Sequence, residues 1–262
     1  MKKIIVRLLI ALVVVAILAV VGVGMFLGNV IKAGVETIGP RVTKVDVKLN
    51  SVSLSLLSGG CTIRGLVLGN PAGFKAPSSI NVGEATLALV PKSLRADKVI
   101  IKTIRIQGPE ITYETDLKDN NLSRLIANMQ GAPGGGQKEP AKPQEPVKTT
   151  EAKPAKKLEV DEVVITGGKI HVAVTALAGG AATVPLPEIR LQDFGTGPDG
   201  ITAEELAVKV LGAIEQGSVK AAAGAVADIA KGAIYAAKDV TNLGTNTVNS
   251  VTKGLGNLLK KK

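Results

Sequence analysis

The chain has 262 residues, 2% of them aromatic, with no tryptophan, one cysteine, one histidine and a formal net charge of +10. A single thiol allows no intramolecular disulfide, and Cys61 and His171, far apart, fall short of the ligands of a zinc site or the partners of a histidine-based triad. The charge does not mark a nucleic-acid protein, because its excess sits in residues 1–7, 131–157 and 253–262, outside the body of the chain. That body divides into a net basic half (32–130) and a net acidic half (158–252), which suggests that the two halves face each other.

Lys2, Lys3 and Arg7 precede an uncharged run from Leu8 to Leu27 that lacks Asn, Gln and Pro. About 20 apolar residues at about 1.5 Å each cover the roughly 30 Å of a bilayer core. The positive charges favour a cytoplasmic N-terminus, with everything beyond Lys32 exported. A cleaved signal peptide has a shorter apolar region and an A-x-A-like site; the run here favours an uncleaved anchor. Gly24 and Gly28 match a small-residue helix-packing motif. The helix is expected to stop at Gly39-Pro40.

From Val42 the period changes to two. Val45, Val47 and Leu49, then Val52, Leu54 and Leu56, alternate with polar residues. Further strands are predicted around Ile63 and Leu66–Leu68, and at Ile80–Val90, Lys98–Ile106, Glu110–Thr115 and Thr183–Asp193. Cys61 reads as a small buried hydrophobe within this pattern. Alternation of this kind marks an antiparallel sheet with one apolar and one wet face. Lys92-Ser93-Leu94 reads as a connection. Asn120 to Gln130 has helical spacing, with Asn120 or Asn121 as cap.

Residues 131–157 are rich in Pro, Gly, Lys and Glu and have no apolar period, the composition of a disordered linker. Across it lies an internal repeat. Ile101–Tyr113 overlays Val160–Val172 at an offset of 59 residues, with Gly108 and Gly167 coinciding. Each copy reads as strand, tight turn, strand, so that one hairpin used twice builds one sheet across the linker. Thr202 and Glu205 form a capping box that opens a helix carrying Leu206, Val210, Leu211 and Ile214. A separate Ala-rich helix is expected at Ser218–Asp239. A tail with Val248, Val251, Leu255, Leu258 and Leu259 ends in three lysines, suited either to solubility or to an anionic membrane surface.

The domains read as an anchor helix (1–39), a first part of the sheet (40–130), the linker (131–157), a second part (158–200), and Ala-rich helices with a basic amphipathic tail (201–262). The anchor, the stretch Val52-Ser-Leu-Ser-Leu-Leu-Ser-Gly-Gly-Cys-Thr-Ile-Arg-Gly-Leu-Val-Leu-Gly-Asn-Pro-Ala-Gly-Phe74, Ser93-Leu94 and Ile101–Ile111 together resemble the AsmA-like family of bacterial envelope proteins. Asn120-Asn-Leu-Ser-Arg-Leu125, Ile165-Thr-Gly-Gly-Lys-Ile170 and Pro185-Leu-Pro-Glu-Ile-Arg-Leu191 extend the likeness. The chain is far shorter than the large members and lacks their long central β region.

The resemblance implies an α+β fold: an N-terminal transmembrane helix, then a curled, mostly antiparallel β-sheet forming an open groove, with C-terminal helices. It also implies the handling of membrane lipid at the inner membrane, with the body in the periplasm. The candidate lipid-facing residues are Val52, Leu54, Leu56, Ile63, Leu66, Leu68, Ile101, Ile104, Ile106, Ile165 and Ile170. No catalytic residue, cofactor or metal ligand is expected. The competing reading is a scaffolding protein with a closed core, binding envelope proteins through its sheet edge or C-terminal helices.

Overall fold

The computed structural model describes residues 2–131, 156–175 and 180–259, with 2–21 and 233–259 as backbone only. Most of the linker 131–157 and the side chains of the basic tail lie outside the described residues. So do most side chains of the run Leu8–Leu27. Helix α1 spans Lys2–Thr43 and passes through Pro40, one turn beyond the expected stop. Lys44, left-handed at φ 57°, ends it by donating its N–H to the Pro40 carbonyl at 3.0 Å. Among the described residues no helix is long and apolar enough to cross a membrane.

Strands β1 (Val47–Lys48), β2 (Ser51–Leu54), β3 (Gly60–Gly69) and β4 (Ser78–Leu89) follow. A short 3-10 turn at Pro91–Arg95 leads to β5 (Lys98–Gln107) and β6 (Glu110–Thr115). Then come α2 (Asn121–Met129), β7 (Lys157–Thr166), β8 (Lys169–Val174), β9 (Gly180–Pro185), β10 (Ile189–Phe194) and α3 (Ala203–Leu259). Both predicted caps are present. The Asn120 side chain accepts the Ser123 N–H, and Thr202 and Glu205 exchange side-chain-to-backbone bonds at 3.1 and 2.8 Å. Three expectations differ: Thr183–Asp193 is two strands, residues 42–50 give only the two-residue β1, and the two C-terminal helices are one.

All ten strands form one open sheet. It is antiparallel except where β5 pairs with β7 and β6 with β8, both parallel. The repeat copies therefore do not fold as hairpins. β5 and β6 do not pair with each other; they lie end to end along β4, in one continuous register. β7 and β8 lie end to end along them, Ile101 beside Val160 and Tyr113 beside Val172. β9 and β10 continue the pattern on the far side. The backbone bonds that a hairpin would close internally are made instead to these long neighbours. A parallel neighbour needs a crossover of a dozen residues or more. α2 and the chain from Met129 to Lys157 supply it, so the linker interrupts the sheet without dividing it.

The sheet thus consists of six long strands, each bent at the same level: Asn50, Gly65, Gly83, Gly108, Gly167 and Pro187 follow one another across it by register. Gly65, Gly108 and Gly167 have φ of 63°, 58° and 67°, which disfavours any side chain. The turn glycines of the repeat are a row of bends. The opposite charges of the two halves do meet across β5 and β7, where Lys98 pairs with Glu159 at 2.5 Å and Lys102 with Asp161 at 2.8 Å.

Candidate functional site

One face of the sheet is aliphatic from edge to edge. In register, Val52, Ile63, Ala85, Ile106, Ile165 and Ile189 form a row next to the bend. Leu54, Cys61, Leu87, Ile104, Val163 and Leu191 form the next row. Leu89, Ile101, Val160 and Phe194 form a third. Beyond the bend, Val47, Leu68, Ile80, Ile111, Ile170 and Val184 align likewise. Ile101 and Ile104 share the face although they are three residues apart, because the register shifts between Ala88 and Leu89, leaving Lys102 as an extra residue in β5. The opposite face is mainly polar, carrying for example Ser53, Thr62, Thr86, Arg105 and Arg190 in one row.

Helices cover this apolar face unevenly. α3 lies on β6, β8, β9 and β10 through Leu206, Val210, Leu211, Ile214 and Ala222. α2 sits on β6, and α1 on β1 and β2. Among the described residues no helix lies on β3, β4 or β7 beyond marginal contact, and β5 meets only the 3-10 turn. Burial also varies across the face, and not simply with helix cover, since β7 is sealed without one. Ile165, Ile170, Val160 and Val163 are sealed at 0% exposure, whereas Ile63, Leu66, Leu87, Leu89, Ile104 and Ile106 remain half-buried. A strip of half-buried aliphatic side chains on β3–β5, interspersed with the buried Val82, Ala85 and Ile101, thus lies between α1 and α3.

The eleven candidate residues divide along the same line. Ile63, Leu66, Leu68, Ile104 and Ile106 are half-buried around the strip. Ile101, Ile165 and Ile170 belong to the sealed core. Val52 and Leu54 pack with Leu49, Cys61 and Val35 of α1 in a smaller cluster. Leu56 lines a hollow of about 390 Å³ between α1 and β2. Leu87 and Leu89 belong to the strip and were legible only as members of an alternating strand.

α1 is fastened to the sheet edge by contacts that its sequence does not announce. A β-carbon on Gly24 would lie 2.5 Å from the Leu54 carbonyl oxygen, and one on Gly28 would overlap that of Val52. The two glycines thus seat the helix directly on the backbone of β2. At the break between β1 and β2, Lys32 donates to the carbonyls of Leu49 and Asn50, and Glu36 accepts the Leu49 N–H at 2.9 Å. That N–H, helped by Lys32, holds the Glu36 carboxyl below its ordinary range.

A second buried contact ties the loop Asn70–Ala76 to α2. Glu114, 1% exposed, accepts the N–H groups of Lys75 and Ala76 and the Asn70 amide at 2.7–3.0 Å. Asn121 completes it, donating to Asn70 and Thr112 and accepting the Glu114 N–H. Glu114 reads in the sequence as a solvated residue of an alternating strand, and nothing local marks it otherwise. Cys61 is buried, which pushes its thiol pKa up, away from nucleophilic use. His171 is exposed beside Thr183 at 3.1 Å.

A model of the AsmA family matches residues 1–180, from α1 into β9. No curated protein and no solved structure matches the chain.

Proposed function

The chain belongs to the AsmA family, and from that premise we propose that it is a non-enzymatic envelope protein that binds membrane lipid and hands it over. In this reading α1 anchors it in the inner membrane, its N-terminus is cytoplasmic and its body is periplasmic. The observation that carries the reading is the set of half-buried aliphatic residues on β3–β5 (Ile63, Leu66, Leu87, Leu89, Ile104 and Ile106), set beside residues of β7 and β8 on the same face that are fully buried. An acyl chain laid there would leave water at about 0.8 kcal/mol per methylene. The bent, one-faced sheet supplies the strip without a second sheet.

Photo-crosslinking tests this. A benzophenone amino acid is placed singly in the full chain at Leu87 or Ile104 on the strip, and at Thr86 or Arg105 on the polar face. Phospholipid adducts at the first pair and none at the second are expected. Equal capture at both pairs, or none at either, refutes lipid binding at the strip. The scaffolding alternative draws on α3, which already closes the face over β6 and β8–β10. It predicts protein adducts at Ala181 and Thr183 on the free β9 edge, with no lipid at Leu87.

A further inference from the structure

We propose that one end of the open strip is a membrane-seated rim, with Leu57 inserted among acyl chains and Lys92, Arg95 and Lys156 resting on anionic lipid headgroups. The inference rests on α1 being the anchor.

The geometry starts at α1. Gly28 seats on Val52 and Gly24 on Leu54, so β2 runs antiparallel to the helix. Two strand residues advance about 6.6 Å and four helical residues about 6 Å, so the contacts keep step. The turn after Leu54 carries Leu56 and Leu57 onward in that direction, past Gly24 and alongside the apolar run Leu8–Leu27. A bilayer that holds this run must also meet the turn.

The turn is built for that environment. Leu57 is 75% exposed at its tip, the most exposed large apolar residue among those described. It shares the hollow between α1 and β2 with Met25, itself 68% exposed, and Phe26 beside Met25 is 67% exposed. In water this patch has no counterpart, but against a bilayer it forms one surface. At the other end of the strands Leu117, 55% exposed between Asp116 and Lys118, shares a shallow hollow with Val219 of α3, 40% exposed.

The charges fit the same partner. Gly59, closing the turn, abuts Leu89 and Pro91, so the 3-10 turn Pro91–Arg95 lies next to Leu57. Lys92 and Arg95 are exposed there, and the Lys156 ammonium reaches the Leu94 carbonyl at 2.6 Å. None of these three cations is paired with a carboxylate among the described residues, whereas Lys98 nearby is committed to Glu159. Asp97 is the exposed acidic residue beside them. Three cations and one carboxylate next to a protruding leucine match the boundary between headgroups and acyl chains. The half-buried Leu87 and Leu89 begin where this rim ends, so a lipid entering from the bilayer would meet cations first and the strip second.

Depth-dependent fluorescence quenching tests the rim. The full chain, Cys61→Ala, is labelled at Leu57→Cys, at Ala16→Cys in the anchor, or at Lys75→Cys at the far end. It is reconstituted in vesicles of equimolar phosphatidylcholine and phosphatidylglycerol carrying acyl-chain spin labels. Quenching at positions 16 and 57 but not at 75 is expected. Quenching at 16 alone overturns the rim and leaves the anchor standing; quenching at neither overturns both. When only phosphatidylglycerol carries the spin label, quenching at 57 should exceed that from labelled phosphatidylcholine, by about fivefold for a single engaged cation. The Lys92→Ala, Arg95→Ala, Lys156→Ala variant should lose this preference while keeping its circular dichroism. A preference unchanged in that variant overturns the headgroup contacts.

Discussion

Leu87 and Val163 stand in one row of the apolar face, separated by a single strand, yet the same substitution should act on them very differently. Val163 is fully buried. Val163→Asn strands an amide without partners, costing about 1–3 kcal/mol, and forfeits about 2 kcal/mol of apolar burial. The sum is about 3–5 kcal/mol. Leu87 is half-buried on the open strip. Leu87→Asn leaves its amide hydrated and loses about half of a leucine's transfer energy, about 1 kcal/mol. At about 2–4 °C per kcal/mol for a body of this size, Leu87→Asn lowers the melting temperature by a few degrees. Val163→Asn lowers it by about 10 °C or prevents folding. Circular dichroism melts of the full chain in one membrane mimic make the comparison, and crosslinking from Ile104 measures lipid capture in the same samples. Leu87→Asn should reduce capture while the protein stays folded. If Leu87→Asn unfolds the protein as Val163→Asn does, the strip is closed and the reasoning fails.

Gly28→Ala and Gly34→Ala lie on one helix and should differ in sign. The first drives a methyl into the Val52 carbonyl and costs about 1–3 kcal/mol, while the second meets no atom within 4 Å and gains up to about 1 kcal/mol of helix propensity; melts of the two variants that move in the same direction contradict the seating of α1. Glu114→Gln puts an amide N–H₂ against the donors of Lys75, Ala76 and Asn70, and should lose about 2–4 kcal/mol and free the Asn70–Ala76 loop to proteolysis. A loop that stays protected would show the carboxylate to be dispensable. Glu36 titrates below its ordinary value near 4.5 because it accepts the Leu49 N–H. Its contribution is therefore complete above that pH and is lost as pH falls through the lowered folded value. The melting-temperature gap between the parent chain and Glu36→Gln should shrink as pH is lowered from 7 through 4, and a gap independent of pH would dissociate Glu36 from the sheet edge.

The α+β class, the positions of most strands, both helix caps and the repeat were legible because each is written in local pattern. Alternation marks Lys98–Gln107 whatever its neighbours are. Thr202 and Glu205 signal a helix start by themselves. What alternation cannot carry is the partner of a strand. The sequence of β5, Gly108-Pro109 and β6 is compatible with a hairpin, and only the length of β4 and the return of the chain through α2 decide against one. Glu114 was illegible for a related reason: its ligands are backbone N–H groups of a loop about 40 residues away, which no side-chain pattern encodes. Gly24 and Gly28 were legible as a packing motif, but the motif is silent on whether its partner is a helix or, as found, the backbone of β2.

That partner constrains how the sheet can be extended. The carbonyls of Val52 and Leu54 point out of the sheet edge toward Gly24 and Gly28, so α1 covers the hydrogen-bonding edge that another copy would need. Lys32 and Glu36 occupy the backbone groups exposed at the Leu49–Asn50 break. The β9–β10 edge carries no further strand among the described residues, so continuous head-to-tail stacking, which requires two open edges, is blocked at one of them. Six strands about 4.8 Å apart span about 24 Å, and two copies joined at their free edges about 50 Å. One copy is thus narrower than the roughly 30 Å hydrocarbon core of a bilayer. Under the proposed function, this geometry fits a protein that takes up a lipid at its own membrane and hands it over, rather than one that forms a continuous conduit across an envelope.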